Sequence, residues 1–242
     1  MILVMSLKQI ELYIKKPSSL YFFAFALFAL LLAIRESESY SHFYDFLPVV
    51  GKTIPFFILS LSLLIAYWFN GGTNPKIGLS FPKQNDGINN VFLWVVKWAM
   101  FILVIRIGSA FLTQPILQLL PEQNILQRAN PLVGNLILTI SLLPLMWLAV
   151  IGEEVLIRGL LLRYIALKLG SGKVAWILAA VISAIIFGAL HFWKGPAGMV
   201  SSAIAGLVFG FGYLLTKRNL WPCIIAHCAG NTLGFISTSL SN

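Results

Sequence analysis

In a chain of 242 residues, 59% hydrophobic and only 10% charged side chains leave too little polar surface to keep the protein in water, since average domains are about a quarter charged. That excludes a soluble globular enzyme and reads as an integral membrane protein. The net charge of +9 is scattered between apolar runs, a pattern that sets orientation beside an anionic leaflet and gives no reason to expect nucleic acid as a partner.

Residues 1–16, MILVMSLKQIELYIKK, alternate apolar and basic stretches and predict a short interfacial helix on the cytoplasmic face. Apolar runs follow at 18–34, 47–69, 91–113, 131–151, 174–193, 197–216 and 221–240. Each is long enough, the first only just, to cross a core of about 30 Å as a helix. The first run reads as a retained anchor, because no small-x-small site precedes the acidic RESES. The Gly-, Pro- and Asn-rich stretch 70–90 predicts a loop.

The stretch 153–169 is amphipathic and ends at GSG, 170–172. It predicts either the tail of a long helix reaching the cytoplasm or a helix lying in the interface. With seven spans and the N-terminus cytoplasmic, Lys8, Lys15, Lys16, Lys76, Lys83, Arg163, Lys168, Lys173, Lys217 and Arg218 fall inside. Arg35, Lys52, Arg128 and Lys194 fall outside or at the outer edge, so the bias is strong. Cys223 and Cys228 are five apart in one apolar run; on a helix they point about 140° apart and cannot bridge. Nothing marks a tandem repeat or a low-complexity tract.

Three motifs interrupt the late apolar runs. In the first, Glu153-Glu154-x-x-x-Arg158, Glu154 and Arg158 share a helical face and can pair, whereas Glu153 is turned about 100° away. An ionisable group near mid-bilayer costs roughly 2.5–3.5 kcal/mol, and one leucine returns only about 0.3–0.6 kcal/mol. These charges therefore either end a span in water or line a cavity, and the motif alone leaves both open. The second motif is FGALH, ending in His191, and the third is HCAGN, pairing His227 with Asn231 at i and i+4. An intramembrane carboxamide is costly unless hydrogen-bonded.

Counting from the GSG turn puts Glu153 and His191 at nearly the same depth in an antiparallel pair. Counting from Lys217-Arg218 puts His227 nearer the cytoplasm, and a helix break at KGPAG, 194–198, would ease that mismatch. A carboxylate, two imidazoles, an arginine and an amide around one cavity suit attack of water on an amide carbonyl. Glu153 would act as general base, His227 and Asn231 would hold the oxyanion, and Arg158 would hold Glu154. No cofactor is expected. A zinc site is the alternative, with Glu153, His191 and His227 as ligands, although the HExxH spacing is absent.

EEVLIRGLLL, FGALH and LWPCIIAHCAGN, in this order, resemble the EExxxR, FxxxH and HxxxN signatures of the CPBP intramembrane protease family, which includes the CAAX prenyl endoproteases and the Abi, bacteriocin-processing proteins. The resemblance covers about 131–240 and divides the chain into an N-terminal membrane region, 1–130, and a catalytic core, 131–242. It implies an all-α polytopic bundle of seven or eight spans around a polar intramembrane cavity. It also implies endoproteolysis of a membrane-associated, prenylated or leader-peptide substrate, in a lipid environment. The roles it implies are water activation by Glu153 and His191, an oxyanion site at His227 and Asn231, and support from Glu154 and Arg158. The short chain and short loops suggest a bacterial plasma membrane.

Two non-enzymatic readings compete. A proton- or ion-coupled transporter would use the buried charges as a relay, and Lys97 and Arg106 in the 91–113 run would suit it. A scaffold or bacteriocin immunity protein would bind a partner and cut nothing. Elsewhere the expectations are plain: His42 solvated, Phe187 packed above His191, and Trp68, Trp193 and Trp221 in an interfacial belt.

Overall fold

The computed structural model describes residues 61, 77–80, 88–120 and 132–241. The expected interfacial helix at 1–16, the run at 18–34, most of 47–69 and 70–90, His42 and Trp68 lie outside the described residues. Within them the chain is all helical. Helix α1 spans Ile88–Leu117. Helix α2, Leu136–Glu154, is opened by Asn135, whose side chain accepts from the Leu138 N–H at 3.0 Å and so satisfies a donor the helix leaves unpaired.

Helix α2 continues into a π-helical stretch, Val155–Leu162, and then α3, Arg163–Lys168. Together Leu136–Lys168 form one rod of 33 residues. The chain reverses at Gly170 and Ser171, both at positive φ, and returns as α4, Lys173–Ala189. A 3₁₀ turn, Phe192–Lys194, leads to α5, Gly195–Leu215, and a second turn leads to α6, Trp221–Leu240. Four helices (α1, the α2–α3 rod, α5 and α6) are long and apolar enough to cross a membrane, and α4 is a shorter apolar helix. The protein is an integral membrane protein.

One expectation is refined. The stretch after Glu153 does continue the long helix, but most of it is packed inside the bundle. Val155, Leu156, Ile157, Arg158, Gly159, Leu160 and Leu162 are all buried, and exposure begins only at Leu167. The π winding lies in the bundle centre, where helices of this kind often mark functional sites.

The break expected at 194–198 is present: helix α5 begins at Gly195-Pro196, with proline in its first turn. In the α5–α6 turn Thr216, Asn219 and Leu220 are buried, while Lys217 and Arg218 between them are exposed. Residues 77–80 cap this turn. The Leu220 N–H donates to the Gly78 carbonyl at 2.8 Å, and the Asn219 amide donates to the Ser80 carbonyl at 2.8 Å. Trp221, expected in an interfacial belt, is half-buried and donates its indole N–H to the Leu79 carbonyl at 3.2 Å. Gly78 has φ 85°, and a Cβ there would collide with the Arg218 carbonyl, so the cap needs glycine at that position.

Small residues join α4 to α5. A Cβ on Gly206 would stand 2.9 Å from Ala184 Cα, and one on Gly188 would stand 2.6 Å from Ala203 Cβ. Such seams let helix backbones approach closely where lipid gives no hydrophobic drive.

Candidate active site

The end of α2, the π stretch, the end of α4 and the first half of α6 meet at the centre of the bundle. Glu154 is fully buried. Its Oε1 accepts from Arg158 Nη1 at 3.1 Å and from His227 Nδ1 at 2.8 Å, across 73 residues of sequence. The i,i+4 pair expected from the sequence thus forms, and it carries an imidazole that the helical count alone did not supply.

Arg158, 1% exposed, is held on every side. It donates to the Gly206 carbonyl at 3.4 Å and lies over the rings of Phe187 at 4.7 Å and Phe209 at 5.4 Å. Phe209 in turn stacks on the His227 ring, with centroids 4.6 Å apart and planes 21° apart. Phe209 was missed in the sequence. Its only signal was an aromatic residue among the small residues of α5, where backbones are close enough for a ring to reach two partners.

Glu153 is not turned away from this group as the 100° rotation suggested. Its Oε2 lies 3.9 Å from His227 Nε2, with the side chain 24% exposed. The two neighbouring glutamates therefore address opposite nitrogens of one ring. Because Nδ1 donates to Glu154, a neutral His227 presents a lone pair at Nε2, and only the imidazolium form can donate from there.

His191 ends α4 in a turn and is buried. Its Nδ1 donates to the Phe187 carbonyl at 2.7 Å, one helical turn back, which leaves Nε2 as the acceptor nitrogen of the neutral ring. Phe187 packs edge-on to it, with ring centroids 4.5 Å apart, as the sequence suggested. Asn231 lies on α6 one turn beyond His227 and is half-buried.

Glu153, His191, His227 and Asn231 line a single cavity of about 740 Å³, while Glu154 and Arg158 sit behind its wall. Its lining runs along α1 from Leu103, at mid-helix, to Leu117 at the C-terminal end, and includes Lys194 across from it. The cavity thus opens away from the turns that carry Lys168, Lys173, Lys217 and Arg218.

Among the described residues no three His, Cys, Asp or Glu side chains gather closely enough to hold a metal ion. Both His191 and His227 have Nδ1 hydrogen-bonded within the protein.

Residues 135–233 match the family model of the type II CAAX prenyl endopeptidases, Rce1-like. This part of the chain is an Rce1-like domain. The match contains all six catalytic candidates from the sequence, and an Rce1-like domain indicates a protease that acts on peptide substrates at the membrane. No curated protein and no solved structure matches the chain.

Proposed function

We propose that the Rce1-like domain hydrolyses a peptide bond of a membrane-associated or lipidated substrate by direct attack of water within the bundle. The reading is carried by one observation: two adjacent glutamates bracket the His227 ring, one buried and ion-paired, the other on the cavity wall. Glu153 takes a proton from the attacking water and returns it to the departing amine as the tetrahedral intermediate collapses and the C–N bond breaks, and His191 helps to orient that water through its acceptor nitrogen. As the carbonyl oxygen gains charge, His227 donates from Nε2 as an imidazolium and Asn231 donates from its amide. Glu154 is the anion that holds the ring in this orientation, and Arg158 keeps Glu154 in place.

A carboxylate that only served packing would need no second acid beside it on a cavity wall, which favours hydrolysis over a scaffold role. The basic residues of the two turns near residues 168–173 and 217–218 support a cytoplasmic placement of that end. The N-terminus is then cytoplasmic, the membrane is a bacterial plasma membrane, and the cavity opens towards the other leaflet.

The test is a comparison of membrane and secreted peptides from cells carrying wild type or Glu153→Gln at equal abundance. The protease reading expects at least one peptide cut only by wild type. Identical peptide profiles would leave a binding or scaffold role instead.

A further inference from the structure

One charged group in the cavity has no part in the chemistry above. Arg106 lies in the apolar helix α1, half-buried, on the cavity-lining face of that helix. Among the described residues no carboxylate or carbonyl pairs with its guanidinium. Arg158 makes the contrast clear, since it is satisfied by Glu154, a backbone carbonyl and two ring faces. An unpaired cation inside a membrane helix is retained against a large cost and marks a functional site by default.

Its position is defined by its neighbours. Leu103, one turn earlier on the same face, lies 3.5 Å from where a Cβ would stand at Gly230, the residue beside Asn231. Arg106 is therefore about 4.5 Å further along the helix axis towards the open end of the cavity. Gln114 follows on the same stripe, and Lys194 lines the opposite wall. Among the described residues Glu153 is the only acidic side chain in the lining. A negative group on an incoming chain is repelled at Glu153 and attracted at Arg106, so the field orients the chain as well as holding it. A planar guanidinium suits a carboxylate in particular, through two parallel hydrogen bonds.

We propose that Arg106 forms an anion subsite that takes a carboxylate of the bound substrate, from either a free chain terminus or an acidic side chain, a few residues from the bond that is cut. The idea rests on the hydrolytic reading for the identity of its ligand as a substrate, but binding tests it without hydrolysis.

The probe is a fluorescent, N-palmitoylated decapeptide in three forms. One has a free C-terminal carboxylate and no acidic side chain, one has a C-terminal amide and a single Asp, and one has the amide and Asn in place of that Asp. Each is titrated against the full chain carrying Glu153→Gln in detergent micelles, with fluorescence anisotropy as the readout. At least one carboxylate form is expected to bind about tenfold more tightly than the uncharged form, and the form that does so names the source of the carboxylate. Adding Arg106→Gln or Arg106→Met should remove the preference, and Arg106→Lys should keep part of it. Equal binding of all three forms by the Arg106 protein, or a preference that survives both neutral substitutions, overturns the proposal. A carboxylate preference without cleavage of the same peptides by wild type supports the subsite and overturns the hydrolytic reading alone.

Discussion

Replacing Glu154 with Gln tests the division of labour between the two glutamates. The substitution keeps size and shape but removes the charge that receives Arg158 at 3.1 Å and His227 at 2.8 Å. Breaking a buried ion pair from one side costs about 3–5 kcal/mol. Arg158 keeps the Gly206 carbonyl and two ring faces, so the low end, about 3 kcal/mol, applies. For a chain of this size that lowers the melting temperature by about 6–12 °C. The kinetic effect falls on kcat, because Glu154 lies behind the cavity wall; losing a positioned oxyanion donor costs about 10²–10³.

Glu153→Gln should behave differently. Its oxygen is 3.9 Å from His227 and its side chain is partly exposed, so no buried pair is broken. Activity should fall by at least about 10², with a melting temperature within about 2 °C of wild type. Scanning fluorimetry in detergent and initial rates on one cleaved peptide measure both quantities. Wild-type kcat in Glu154→Gln, or equal melting temperatures for the two variants, would refute this assignment.

Phe209→Leu removes the ring face that supports both His227 and Arg158; the loss should be about 1–2 kcal/mol in stability, with a reduced kcat rather than a raised KM in the same peptide assay. Gly78→Ala forces a left-handed residue against the Arg218 carbonyl and should cost more than about 1 kcal/mol, seen as faster hydrogen exchange at 216–221. Gly206→Val overpacks the seam at Ala184 and should cost about 1–3 kcal/mol, lowering the yield of folded protein in a size-exclusion profile. Excess 1,10-phenanthroline should leave the cleavage rate within about twofold, because among the described residues no three His, Cys, Asp or Glu donors gather; a rate that collapses and returns with zinc would refute that reading.

Much of the site was legible because its chemistry is local in sequence. Glu154 and Arg158 are one turn apart, as are His227 and Asn231, and helical spacing alone puts each pair on a shared face. The antiparallel count about GSG likewise brought Glu153 and His191 to one cavity. What no pattern announced was the cover on the α5–α6 turn: Thr216 and Leu220 are buried beneath residues 77–80, although Lys217 and Arg218 between them are exposed. The cap is made by backbone carbonyls of Gly78, Leu79 and Ser80, groups every residue carries, so no side-chain pattern announces it. The π winding at 155–162 was hidden for a similar reason: Val, Leu and Ile fit an α-helix equally well, and only the tertiary setting selects the wider turn.

The seam between α4 and α5 has a mechanical consequence. With Gly188 against Ala203 and Gly206 against Ala184, these helices have no slack and travel as one stiff leaf that carries His191 at its edge. Helix α1 is pinned lower down, where Ile102 fills the notch at Gly212, while beyond Arg106 its inner face borders empty space. The room for a bulky guest therefore lies on the α1 side of the cavity, while the tight seam fixes the wall that bears the histidine.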